Sequence, residues 1–249
     1  MQKYCGCVFS EEDRYLKKKK DSLSLPEGFE WKKNKYRLGY KVMKAIIFDI
    51  DNTLIELRDE FVSSMKDVLI EMNYNFSDAK INEIYKYADE HEKHFLRLNK
   101  QELLDYINEK CNLNLPIEFI DKLEIKQGNN VYEDPDLIKV IEYLSKKYDL
   151  YAISNWFTKT QSIRLEKMGV LKYFKKTYGA DINYYKPDKR VFDVILKDYN
   201  KEDCISIGDS LKNDVELPIS LGMNALWKTK EKSSKYQTFD DLTELMQLL

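Results

Sequence analysis

The alternation of short apolar runs with helical patterns restricts what this chain can fold into more than any other feature of it. Ala45 to Phe48, Asp149 to Ser154, Thr177 to Ala180, Cys204 to Gly208 and Met223 to Trp227 each read as a strand buried on both faces. Helical patterns lie between them, including Leu137 to Lys147, Thr158 to Met168 and Arg190 to Tyr199. Strand followed by helix, repeated, predicts an α/β fold: a Rossmann-like parallel sheet flanked by helices.

One stretch breaks the alternation. Between the first two strands, Ile81, Ile84, Tyr85, Ala88, Phe95 and Leu98 fall at helical spacing, and further helical segments follow near Gln101 to Cys111 and Pro116 to Lys126. No strand pattern interrupts it, so an all-helical cap over residues 57–130 is expected, with the core formed by 43–56 and 131–249. Inserted after the first strand, such a lobe would sit over the carboxyl ends of the strands, where open α/β sheets bind ligands.

Residues 1–42 read as a polar extension of unassigned role, and Met43 stands directly before the first strand. Its Lys17 to Lys20 run is flanked by Glu11, Glu12, Asp13 and Asp21, the pattern of a solvated stretch. With 41 Lys and Arg against 43 Asp and Glu, the formal charge is -2, which gives no general attraction to nucleic acid or anionic membrane. No apolar run approaches the roughly 20 residues needed to span a bilayer, and no secretory signal is apparent. Cys5, Cys7, Cys111 and Cys204 are too scattered for a disulfide framework, and Cys5 and Cys7 alone lack the four ligands that zinc takes. A cytoplasmic protein is expected, as monomer or homodimer, with neither nucleic acid nor membrane as partner.

Chemistry concentrates where the strands end. Phe48-Asp49-Ile50-Asp51-Asn52-Thr53-Leu54 places two acids two positions apart after an apolar strand, on one face while the backbone stays extended. One carboxylate there can attack phosphorus, while the second protonates the leaving oxygen and then activates water. Read alone, the segment could equally be turn and cap residues. Three further elements follow in order. Ile153-Ser154-Asn155 offers a hydroxyl and an amide to phosphate oxygens. Lys186-Pro187-Asp188 offers a cation and a helix cap ahead of Val191, Phe192 and Ile195. Ile207-Gly208-Asp209 to Asp214 adds two acids five apart, suited to magnesium. Convergence of Asp49, Asp51, Asp209 and Asp214 would raise their pKa values unless cations compensate.

These four ordered motifs resemble those of the haloacid dehalogenase superfamily, from about Met43 to the carboxyl terminus, in the subfamily whose helical cap lies between the first two motifs. The resemblance implies Asp49 as nucleophile and Asp51 as general acid and base. It implies Thr53, Ser154, Asn155 and Lys186 as phosphate contacts, with Lys186 also catalytic. Mg2+ would be held by Asp49, Asp209, Asp214 and the backbone carbonyl of Asp51. Leu217-Pro218 departs from the small residues common there, and Pro218 should perturb its helix locally without touching the four motifs. The implied activity is a magnesium-dependent phosphatase acting on a small-molecule phosphate ester through an aspartyl phosphate. Candidate substrates are nucleoside monophosphates, phosphoglycolate and sugar phosphates. A phosphomutase and a non-catalytic binding module are the alternatives, and Asp51 argues against dehalogenation. Substrate choice should reside in the cap, where His91, His94 and Arg97 lie on a predicted long helix, with Trp156 as a cleft wall.

Overall fold

The computed structural model describes residues 43–132 and 134–249; the extension, with its lysine run and the Cys5 and Cys7 thiols, lies outside them. Six parallel strands form one sheet: β1 (Ala45–Phe48), β2 (Asp149–Ile153), β3 (Phe174–Tyr178), β4 (Cys204–Gly208), β5 (Asn224–Lys228) and β6 (Thr238–Phe239). Their spatial order is β3-β2-β1-β4-β5-β6, so β1 lies inside the sheet between β2 and β4. The order reverses at β1, and a doubly wound sheet binds ligands at such a switch point.

Every residue of β1 is buried, which explains its unbroken apolar run. Alternation still sorts its side chains. Ile46 and Phe48 face α5 (Pro135–Ser145) with Leu137, Val140, Ile141 and Leu144. Ala45 and Ile47 pack on the other side with Val191, Phe192 and Ile195. Asp134 caps α5 by accepting from the amides of Asp136 and Leu137, and Pro135 opens its first turn.

Between β1 and α5 stand four α-helices, α1 (Glu60–Glu71), α2 (Asp78–Glu90), α3 (Lys100–Cys111) and α4 (Glu118–Asn129). They enclose their own apolar cluster, including Met65, Ile84, Ile107 and Phe119, which continues into Phe157, Ala180 and Tyr185 of the sheet portion. The packing between α4 and α6 (Thr158–Lys167) is close enough that a Cβ on Gly128 would meet Ile163 at 2.8 Å.

Four expectations need correction. The third strand begins at Phe174, three residues before the predicted Thr177, because Lys175 and Lys176 are exposed on an edge strand and break the apolar run. A sixth strand of two residues, Thr238–Phe239, was too short to show a pattern. The predicted helix from Arg190 to Tyr199 is a tight turn over Lys189–Phe192 followed by the single turn Asp193–Leu196. The predicted long helix through Leu98 stops at Glu90. A short turn, His91–Lys93, follows, and the chain is then captured by the sheet portion: Leu98 N–H donates to the Ala180 carbonyl and Tyr185 N–H to that of Leu96.

Phe48 is fully buried and meets Phe174 edge-on at 6.2 Å between centroids. Phe48→Ala should lower the unfolding free energy by about 3–5 kcal/mol, read from urea melts.

Candidate active site

The site begins where β1 runs out. Asp49 N–H still donates to the Ile207 carbonyl (2.9 Å), extending the β1 to β4 pairing by one residue. The chain then turns sharply: the amides of Leu54 and Ile55 both donate to the Ile50 carbonyl, with Asn52 at φ 59°. Asparagine tolerates this left-handed conformation better than most residues. From the end of β5, Lys228 Nζ donates to the carbonyls of Asn52 (2.9 Å) and Thr53 (3.0 Å), pinning the turn from outside. Burial lowers the pKa of this lysine.

Lys186 is the hub. Its Nζ donates to Asp49 Oδ1 (2.6 Å) and Asp214 Oδ1 (2.7 Å), and all three side chains are nearly closed to solvent. Ligand oxygens of Asp49, Asp209 and Asp214 lie within 4.8 Å of one another, so three carboxylates converge on one ammonium. Burial pushes the Asp49 pKa up to about 8; Lys186 opposes this, and repulsion from Asp214 and Asp51 adds to it. Asp209 is raised by burial and by Asp214. For Lys186 the two carboxylates outweigh burial and hold its pKa above the ordinary lysine value. Oxygen donors carrying more negative charge than one lysine neutralises fit a hard divalent cation such as magnesium.

Asp209 and Asp214 are held by their surroundings. Thr53, fully buried, donates its hydroxyl to Asp209 Oδ1 (3.4 Å) and accepts from Asp209 N–H (3.0 Å). Trp227 Nε1 donates to the Asp209 carbonyl (2.8 Å). Asp214 Oδ2 accepts from Ser210 N–H (3.1 Å). Gly208 is required here: a Cβ on it would stand 2.3 Å from Asp214 Cγ. Asp214 lies in a π-helical turn, Leu211–Glu216, ahead of the turn Leu217–Ser220 bearing Pro218. The helical irregularity ahead of Pro218 thus includes Asp214, which corrects the expectation that it would leave the four motifs untouched.

Asp51 belongs to a different neighbourhood. Its carboxylate is bonded to Arg164 Nη1 and accepts from Gln161 Nε2 (2.7 Å) and the Ser154 hydroxyl (3.2 Å). Arg164 is the largest fully buried side chain, and its Nε and Nη2 have no hydrogen-bond partner among the described residues. Gln161 and Arg164 stand three apart on one face of α6, and Gln161 also donates to Ser154 Oγ (2.8 Å). The sequence shows Thr158 to Met168 only as a helical pattern, with nothing to single out either residue. Asp51 therefore flanks the Asp49 cluster, with its carboxylate outside the group of three.

The other expected phosphate contacts are already engaged. The Ser154 hydroxyl accepts from Trp156 N–H as well as from Gln161. Asn155 Nδ2 donates to Glu92 Oε2 (2.7 Å) and the Lys186 carbonyl (3.0 Å), while Asn155 Oδ1 accepts from Lys186 N–H (2.7 Å). Asn155 thus braces the backbone of the lysine hub against the helical insert.

Beside these residues opens a pocket of about 160 Å³, lined from the insert by Phe61, Tyr85 and Asp89 and from the sheet portion by Asp51, Asn155 and Trp156. Arg97 stays outside it, stacked at 4.1 Å on Tyr184. His91 is buried against Tyr185, and His94 is exposed, its ring 5.3 Å from that of Tyr106.

A family model for haloacid dehalogenase-like hydrolases matches residues 43–222, and the chain belongs to that family. Among curated relatives, the pyrimidine 5'-nucleotidase PynA of Streptococcus pneumoniae is 24% identical over 204 residues, covering 74% of this chain and 83% of its own. The glyceraldehyde 3-phosphate phosphatase of Methanothermobacter thermautotrophicus is 22% identical over 230 residues, covering 84% of this chain and 100% of its own. Among solved structures, the HAD-hydrolase YfnB of Bacillus subtilis, bound to magnesium, superposes with a TM-score of 0.66 at 17% identity, over 83% of this chain and 98% of that one.

Two outcomes follow from the geometry. Gly208→Ala should force Asp214 from Lys186 and destabilise the fold by about 1–3 kcal/mol, read from thermal or urea melts. Because the folded state raises the Asp49 pKa from 3.8 to about 8, its contribution to apoprotein stability is present below that lower value and lost as pH rises towards the upper one. A bound cation favours the ionised acid, so the rise in Tm on adding Mg2+ should be larger near about pH 8 than near about pH 5. Asp49→Asn should flatten that difference.

Proposed function

We propose that this enzyme is a magnesium-dependent phosphatase that hydrolyses a small-molecule phosphomonoester through an aspartyl phosphate on Asp49. The observation that carries this reading is the pairing of two acids with opposite surroundings: Asp49 in the carboxylate cluster around Lys186, and Asp51 on the wall of the adjoining pocket. The names of the two curated relatives, a nucleotidase and a sugar-phosphate phosphatase, support phosphomonoester chemistry. The domain division goes with it: a core of 43–56 and 131–249, and a cap of 57–130 that covers the substrate. The apolar cluster of the four helices supports that division.

In this reading an Asp49 oxygen attacks phosphorus in line with the leaving oxygen. The P–O bond to that oxygen breaks as Asp51 delivers its proton to it. Asp51, now ionised, takes a proton from water, the resulting hydroxide attacks phosphorus, and the bond to Asp49 breaks to regenerate the carboxylate and release phosphate. Lys186 keeps Asp49 oriented and offsets charge on the transferring group, while Ser154, Asn155 and Thr53 complete its surroundings. Asp49, Asp209, Asp214 and the backbone carbonyl of Asp51 would hold Mg2+, which supplies charge neutralisation for the phosphoryl oxygens when bound.

No helix among the described residues is long and apolar enough to cross a membrane. The cytoplasm is the proposed location, supported by the free, buried Cys111 and Cys204.

Phosphate release from p-nitrophenyl phosphate should require Mg2+ and fall to background in Asp49→Asn. Asp51→Asn should lower turnover by about 10²–10⁴-fold, and acid quenching should trap phosphate on the protein. Turnover by Asp49→Asn at the wild-type rate would refute the mechanism.

A further inference from the structure

Resting on the phosphatase reading, the pocket beside Asp51 says which leaving group that site accepts. Among the described residues, none of those that line it is a lysine, arginine or histidine. Its walls hold the carboxylates of Asp51, Asp89 and Glu92 and the rings of Phe61, Tyr85, Trp156 and Tyr185. Asp51 has Arg164 as its counter-charge. Asp89 has no ion pair or hydrogen bond from its side chain among the described residues, and Glu92 is bonded only to the neutral amide of Asn155. Asp89 and Glu92 therefore face the pocket without an ion pair; Glu92 feels Lys186 and Lys93 without bonding to either, and burial raises its pKa.

The rings are built as walls. Trp156 Nε1 is turned away to Gln127 Oε1 (2.9 Å), and its ring lies 5.6 Å from that of Phe61 at 31°. The Tyr185 hydroxyl is tied to His91 Nδ1 (2.9 Å), and burial, with His94, holds the His91 pKa down at about 4, so the pair is neutral. The polar ends of both aromatics are satisfied elsewhere. Arg164 already lies over the Phe61 ring, 5.3 Å from its centroid, so the rings of Tyr85, Trp156 and Tyr185 together with the carboxylates are what attract an ammonium group and repel an anion. Asp51 stands on this wall, so the alcohol it protonates is the group that occupies the pocket.

We infer that the pocket formed by Phe61, Tyr85, Asp89, Glu92, Trp156 and Tyr185 is a cation-selective subsite, and that the substrate's leaving alcohol carries an ammonium group. A second anion, such as the carboxylate of phosphoglycolate, is disfavoured there. Arg97 lies outside the pocket, stacked on Tyr184.

The test compares kcat/KM of the magnesium-loaded full chain for three alkyl phosphates of similar size: phosphocholine, n-propyl phosphate and phosphoglycolate. Phosphocholine should exceed propyl phosphate by about tenfold or more, with phosphoglycolate slowest. Asp89→Asn and Glu92→Gln should each shrink the phosphocholine-to-propyl ratio. Choline alone, titrated against tryptophan fluorescence, should give a saturable change that glycolate does not, weakened in Asp89→Asn. Choline binding without turnover of any ester would overturn the phosphatase reading and leave the subsite standing. Turnover that ignores or reverses the charge order, without choline binding, would overturn the subsite and leave the phosphatase.

Discussion

The buried ammonium of Lys186 between Asp49 and Asp214 is the interaction on which the end of this sheet depends. Three carboxylates within 4.8 Å would repel one another strongly in a site closed to water. One lysine answers part of that charge. Desolvating such groups costs more than a simple pair recovers, so a buried cluster of this kind is weak support for stability and a strong pointer to function. Its residual negative charge is what a divalent cation would complement.

Around that hub the protein spends backbone hydrogen bonds on position. Lys228 and the Asp49 amide fix the turn after β1, Thr53 and Trp227 fix Asp209, and Ser210 fixes Asp214. Asn155 joins the loop of Lys186 to Glu92 in the helical insert. The two acids of the first motif consequently face different worlds. Asp49 turns to the charged cluster, and Asp51 to the pocket, restrained by Arg164 and Gln161. Asp49 and Asp51 are separated by their environments although only Ile50 lies between them.

Much of this was legible in residue order. Buried parallel strands must be apolar throughout, so Ala45 to Phe48 and Cys204 to Gly208 announced themselves, and the acids at their ends marked the site. The helical content of the insert was legible from its 3.6-residue period. Where neighbours decide the outcome, legibility failed. Lys175 and Lys176 hid an edge strand because one side of it meets solvent. The segment after Glu90 kept a helical pattern at Phe95 and Leu98 yet left the helix, because backbone bonds to Ala180 and from Tyr185 were available.

Arg164 and Gln161 show the same division inside the site. Their types and spacing suit a solvated helix, and only the docking of α6 beneath Asp51 makes them its partners. Likewise the pocket's acidic and aromatic character arises from residues as distant in sequence as Phe61, Glu92 and Tyr185. The sequence by itself determined the parallel α/β sheet, the helical insertion and the order of the charged side chains at the strand ends, because strand burial and helix periodicity are local patterns. The tertiary structure alone decided which carboxylates share Lys186, what restrains Asp51 and what lines the pocket, because those depend on contacts between segments whose spacing carries no periodic signal.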